Sequence, residues 1–255
     1  MTSNCLCYIG EKTYMYLIFS IIVCISSLVQ AAIGFGFTPI TMAFFPHMMD
    51  YNKSIAISLI VIFLSTLILS VKYRKYVNWK ILLPILIPTF IMNALAALLS
   101  ANISSESMYV YLGFMLAGVA LFFFVFSDKI HFKPTVLSGI ILGIICGIFY
   151  GFFAIGGPTA SLYLTTAIDD KDEYMGTMQM LLCINNGLGV VIRILNKSII
   201  LSDAPLIGIG WICMLAGTFL GLILFKKFSK EVFKKVIYAF VGLNGIWIIV
   251  NNLLL

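Results

Sequence analysis

Eight apolar segments fill almost the whole of this chain, and two of them break at glycines in the same way. The continuous segments are approximately 54–71, 81–99, 109–126, 175–194, 205–225 and 235–254; the two longer ones, 15–46 and 135–168, contain the breaks. The first break runs Gln30-Ala31-Ala32-Ile33-Gly34-Phe35-Gly36-Phe37-Thr38-Pro39 and the second Tyr150-Gly151-Phe152-Phe153-Ala154-Ile155-Gly156-Gly157-Pro158-Thr159. Apolar runs of about 18 residues or more cross a bilayer. With 62% hydrophobic and 10% charged residues, a soluble domain of 255 residues could not cover this much apolar surface. The chain therefore reads as an all-α polytopic membrane protein, one membrane domain over 1–255. The run 15–33 has only Glu11 and Lys12 just ahead of it and continues past Gly34, so it reads as a retained membrane element, not a signal peptide.

The lysines and arginines select a topology. If each broken segment crosses once, the 16 cations divide almost evenly between the two sides. If each enters, turns at its glycines and leaves by the same side, Lys72, Arg74, Lys75, Lys80, Lys129, Lys133, Lys171, Lys226, Lys227, Lys230, Lys234 and Lys235 share one face. Only Lys12, Lys53, Arg193 and Lys197 share the other, which is the asymmetry of a positive cytoplasmic side. This predicts a multi-pass cell-membrane protein with two hairpins, six full spans and both termini outside. Each half is then a hairpin plus three spans, so repeats 12–128 and 129–255 are inverted relative to one another. A shift of 120 positions sets Gly34-Phe35-Gly36 on Ala154-Ile155-Gly156, Gln30 on Tyr150, Thr41 on Ser161 and Ser65-Thr66 on Asn185-Asn186; a shift of 124 sets Gly118 on Gly242. The net charge of +6 lies in short loops, which suits topology control and anionic lipid heads and not nucleic acid.

Irregular backbone inside a bilayer is tolerated where protein covers it or a wet cavity touches it. Proline suits the first turn of a restarted helix, and Thr38 before Pro39 and Gly157 before Pro158 read as its caps. Helices restarting over about 39–46 and 158–168 aim unpaired N–H groups and a partial positive charge at the membrane centre, which makes an anion site. Close helix packing is the alternative role for the same glycines. The candidate substrate-binding residues are Gln30, Gly34, Gly36, Thr38, Pro39, Ser65, Thr66, Gly156, Gly157, Pro158, Thr159, Asn185, Asn186 and Arg193. Asn185 and Asn186 point about 100° apart, so one of them at most faces a cavity, and inter-helix bonding is their other use. Hydroxyls such as Ser65 and Thr66 can bond back to their own helix. Arg193, near the end of its span, reads either as a snorkelling side chain or as an attractor of anions. Asn93, Asn244 and Trp247 read as packing or interface residues, and Pro84 and Pro88 as kinks.

All ten carboxylates fit in loops or at segment ends, so no mid-membrane acid is available for a cation pump or proton relay. His47 and His131 lie at loop edges. No paired-carboxylate, Ser/His/Asp, Walker or zinc pattern occurs, so neither an enzyme nor a cofactor or metal is expected. Cys5, Cys7, Cys24, Cys146, Cys183 and Cys213 form no CxxC pair, and four of them lie within apolar runs as small hydrophobes.

Gly34-Phe35-Gly36-Phe37 followed by Pro46, and Ile155-Gly156-Gly157-Pro158 followed by Tyr163-Leu164, resemble the two motif segments of the sulfite exporter TauE/SafE family. The resemblance covers nearly the whole chain. It implies transport, usually outward, of sulfur-containing oxyanions such as sulfite and organosulfonates like sulfoacetate. Many members carry a longer glycine run after each break, where this chain has Phe37-Thr38 and Pro158. A sulfonate presents three acceptor oxygens that helix N-termini and amides can satisfy without a buried lysine. An organic tail could rest on Phe35, Phe37, Tyr150, Phe152 or Phe153, or these rings could simply pack. The expected function is a secondary exporter of a small anion working by alternating access, with an anion channel or a non-transporting scaffold subunit as rivals. Its partners are the anion and the bilayer, and a homodimer is compatible with the sequence.

Overall fold

A computed structural model describes residues 2–100, 103–126 and 134–225, together with 246, 248 and 250. Among them every regular element is a helix. The α-helices are α1 (Thr2–Ile33), α2 (Phe37–Phe44), α3 (Tyr51–Lys72), α4 (Trp79–Ser100), α5 (Ser105–Phe126), α6 (Val136–Phe153), α7 (Gly157–Ala167), α8 (Lys171–Leu195) and α9 (Ala204–Phe225). Six are long and apolar enough to cross a bilayer: α1 from Tyr14, α3, α4, α6, α8 and α9 up to Ile223. Most of the expected span 235–254, with Gly242, Asn244 and Trp247, lies outside the described residues, as do Lys129, His131, Lys133, Lys226, Lys227, Lys230, Lys234 and Lys235.

Both breaks fall where the glycines predict. At the first, Gly34 (φ 100°) and Gly36 (φ 122°) take left-handed backbone that a side chain would strain. At the second, Ala154 ends α6 in the left-handed region (φ 59°). There Ala154 N donates to Tyr150 O (2.7 Å) and Ile155 N to Phe149 O (3.3 Å), which satisfies carbonyls the helix end would orphan. An alanine in this conformation costs about 1–2 kcal/mol, so the tip is held by what surrounds it.

Each break reverses the chain. Phe45, beyond the first break, stacks on Phe19 of α1 at 5.0 Å between ring centres. Beyond the second, the Tyr163 ring lies 3.0 Å from where a side chain on Gly139 of α6 would stand. The arms are unequal. The first arms have 20 apolar residues (Tyr14–Ile33) and 18 (Val136–Phe153), each close to a full crossing at 1.5 Å per residue. The returning helices have only 8 and 11 residues. The caps differ from expectation as well: Gly36 and Gly156 precede the restarted helices, with Thr38 and Pro158 already in the first turn. The left-handed turn at Gly36 lets helical geometry begin two residues before Pro39.

Small residues decide which helices touch. Gly139, Gly143, Gly147 and Gly151 form a stripe along α6 that faces Pro84, Pro88, Met92 and Ala96 of α4 in the same order, so the two helices run parallel. A methyl group at Gly143 would come 2.6 Å from the Pro88 ring. Similarly, Gly217 and Gly221 of α9 lie on the Cys24 and Leu28 carbonyls of α1, again in parallel. Close backbone approach is the main source of helix adhesion in lipid, where tails are as apolar as leucine. Helices α3 and α8 occupy the centre. The large core cluster joins α3 and α8 to both tips through Ile55, Leu59, Phe35, Ala154, Met178 and Leu182.

Candidate functional site

The two tips overlap side by side between α3 and α8. A side chain on Gly157 would meet Phe35 Cβ at 2.7 Å, so the second tip touches the first directly. Each tip also runs past its counterpart. Gly34 reaches Tyr174 and Met178 in the first turns of α8. Phe152 O, at the second tip, accepts from Tyr51 Oη (2.8 Å) in the first turn of α3. The long first arms thus carry the two tips past one another.

Where they overlap lies a small cavity, lined by Gln30, Phe35, Gly36, Thr38, Pro39, Ile62, Tyr150, Ala154, Gly157, Leu182 and Asn186. No charged side chain lines it. Its volume is about 10 Å³, room for about one water and not for an oxyanion. The centre is therefore closed in this structure. Its polar face is built from α1, α6, α3 and α8. Gln30 Oε1 accepts from Phe37 N (3.2 Å), standing in for the missing side-chain cap of α2. Tyr150 Oη donates to Asn186 Oδ1 (2.5 Å). Asn186 Nδ2 donates to Thr66 Oγ1 (3.4 Å), which in turn donates to Phe63 O (2.9 Å). The first turns of α2 and α7 supply Gly36, Thr38 and Gly157 to the wall, and with them the positive ends of two helix dipoles.

Of the sequence-nominated residues, the cavity gathers Gln30, Gly36, Thr38, Pro39, Gly157 and Asn186, with Thr66 behind Asn186. Gly34 turns its carbonyl to Gln179 Nε2 (2.9 Å). Gly156 packs against the Tyr150 ring, and its carbonyl accepts from Cys146 Sγ (3.2 Å). Pro158 and Thr159 line an apolar groove of about 420 Å³ between α5, α6 and α7, apart from the cavity. Ser65 bonds Thr218 of α9 (2.9 Å). Asn185 accepts from Asn93 Nδ2 (3.1 Å) and donates to Leu181 O, so it ties α8 to α4. Arg193 does not snorkel: it is 1% exposed, two turns beyond Asn186. Snorkelling fails because its face of α8 is covered by α3, α4 and α6.

Sequence reasoning weighed Tyr150 as a resting surface and left Gln179 aside. The structure makes Tyr150 a hydrogen-bond donor in the cavity wall and puts Gln179 on the first tip, with its Oε1 buried and unpaired. The available signal was the spacing Gln179, Asn186, Arg193, seven residues apart and hence on one face of α8. Cys24, Cys146, Cys183 and Cys213 are free thiols, and no metal-binding cluster occurs among the described residues.

No curated protein and no solved structure matches the chain significantly. The family profile described as Sulfite exporter TauE/SafE matches residues 18–248, which takes in both breaks and helices α2 to α9. The chain, with its two glycine-broken hairpins around α3 and α8, belongs to the TauE/SafE sulfite exporter family.

Proposed function

We propose that this protein is a secondary transporter that exports a small sulfur-containing anion, sulfite or an organosulfonate such as sulfoacetate, by alternating access around its hairpin tips. One observation carries this reading: two returning helices begin at a shared cavity whose wall also carries the Gln30 and Asn186 amides and the Tyr150 hydroxyl. Helix N-termini and neutral donors hold a compact anion without a buried lysine. A cavity of about 10 Å³ fits a carrier caught closed better than an open pore. With a negative cell interior, each exported negative charge gains about 2.3 kcal/mol per 100 mV.

We also infer that 12–128 and 129–255 are inverted repeats, with both termini outside. Supporting this, the caps Gly36 and Gly156 are 120 apart, and so are Asp50 and Asp170, which cap α3 and α8. Thr66 and Asn186, also 120 apart, bond to each other. Helix pairing is reciprocal, with α1 on α9 and α4 on α6.

Binding of sulfite, sulfate, sulfoacetate, taurine and carboxylate analogues to purified protein tests the substrate class. Stabilisation by carboxylates alone overturns it. Saturable counterflow in proteoliposomes is expected of a carrier, and large single-channel currents would refute one. A reporter fused after Leu255, active only outside the cytoplasm, tests the topology.

A further inference from the structure

Arg193 carries a charge that the closed structure does not use. Its guanidinium has five N–H donors and is 1% exposed. Its partners are all neutral: Asn52 Oδ1 (3.3 Å), Ser100 Oγ (3.1 Å) and Gly151 O (3.1 Å). Among the described residues Nε–H has no partner. Among the described residues no carboxylate pairs with it; the ion pair at this end of the bundle is Lys53–Asp203 (2.5 Å). A buried cation lacking a counter-charge costs several kcal/mol. Part of that is offset by position: Ser100 ends α4, Gly151 is in the last turn of α6, and Arg193 is in the last turn of α8. Three negative helix ends therefore converge here. Neutral packing would avoid the cost altogether, so the charge calls for a use.

The location supplies one. Gly151, whose carbonyl Arg193 holds, follows Tyr150 in the cavity wall. Arg193 lies seven residues beyond Asn186, about 10.5 Å along the same face of α8. Its bonds to Gly151 and to Asn52 in the first turn of α3 place the guanidinium between the cavity wall and the end where α3 begins. We propose that Arg193 is a second anion station on a route between the two, a site for a compact oxyanion such as a sulfite or sulfonate group. The oxyanion replaces Asn52, Ser100 and Gly151 as the acceptor, matching two oxygens to the planar fork. While the station is empty, the same bonds tie the second hairpin to α3 and α4 and keep this end shut. Releasing Gly151 is then a condition of filling the station, so occupancy and opening go together.

The inference rests on the transport reading, and its test separates the two. Purified full-length protein in proteoliposomes is loaded with sulfite, and sulfite is added at the face where α3 begins to inhibit efflux. R193Q is expected to weaken that inhibition at least tenfold while leaving affinity at the opposite face within twofold. R193K, which keeps the charge but loses the planar fork, is expected to fall between wild type and R193Q. N52L, which removes one neutral acceptor, is expected to tighten inhibition about threefold. A mere structural clamp predicts the reverse pattern: R193K and R193Q fail together and N52L only lowers thermal stability. That pattern, or unchanged inhibition in R193Q, overturns the station. If R193Q does not fold, N52L alone decides. If wild-type protein neither binds nor carries sulfite, sulfate or sulfoacetate, the transport reading itself falls, and the station with it.

Discussion

Replacing Gly157 by alanine inserts a methyl group between the two tips. Its carbon would stand 2.7 Å from Phe35 Cβ and 3.2 Å from Cγ, against an optimum of about 3.5–4.0 Å for carbon pairs. Relief of roughly 1 Å is needed. Because the nearest atom is a Cβ, rotating the Phe35 ring cannot provide it; one tip backbone has to shift. Phe35 is buried on all sides, so the shift spreads into the core. Overpacking of this kind costs about 1–3 kcal/mol. For a chain of this size that lowers the melting temperature by about 2–12 °C. If the closed arrangement lies on the transport path, the same energy slows flux about 5–150-fold. Efflux of sulfite from proteoliposomes, beside a thermal unfolding curve, reads both quantities. Gly118→Ala is the control, since among the described residues a methyl there meets nothing within 4 Å. Gly157→Ala protein that unfolds like the Gly118→Ala control and carries sulfite within twofold of wild type would refute direct contact between the tips as part of the mechanism.

Other substitutions probe the wall and the frame. Tyr150→Phe deletes the donor to Asn186 Oδ1 and leaves a buried acceptor unpaired. It should cost about 1–3 kcal/mol of stability and shrink the thermal shift produced by sulfite; an unaltered shift would remove Tyr150 from the site. Gly217→Ala drives a methyl group onto the Cys24 carbonyl and should loosen α1 from α9 by about 1–3 kcal/mol, whereas Gly208→Ala, in open space, should be neutral in the same unfolding assay. Partial desolvation of its ring lowers the pKa of the otherwise exposed His47 from its usual 6.5. The folded chain therefore binds fewer protons at this position than the unfolded one, and any stability it contributes is present above pH 6.5 and lost as pH falls below it. In histidine-labelled protein, where only His47 and His131 give signals, the His47 resonance should titrate below 6.5; a midpoint above that value would contradict that desolvation.

The breaks were legible because backbone conformation leaves chemical marks: only glycine accepts φ of 100° and 122° readily. The caps were less so, since helical geometry starts at Phe37 and Gly157, which puts the caps at Gly36 and Gly156, ahead of the Thr38 and Gly157 that the prolines suggest. Side-chain direction was less legible. In water an amphipathic stripe tells which face is buried, but in lipid both faces are apolar, and the hydropathy of α3 or α8 says little about which neighbour it meets. Hence Ser65 turns to Thr218 while Thr66 turns to Asn186, and no local pattern distinguishes them. Pro158 and Thr159 escaped for a similar reason: they follow the tip in sequence, but the helical turn carries them to the apolar groove. Arg193 stayed open between snorkelling and anion attraction because distance from the end of a span does not reveal which partners cover it.

The glycine stripes bear on which pieces move together. Helix α6 is seated by its backbone on α4, and α9 on α1, so each hairpin is fastened to a helix belonging to the opposite half of the chain. A rocking motion that kept each sequence half intact would have to shear both of these seams. One that moved α4 with the second hairpin, and α9 with the first, would leave them untouched and slide instead along the softer contacts with α3 and α8. The parts held together by close backbone contact thus cut across the two halves of the sequence.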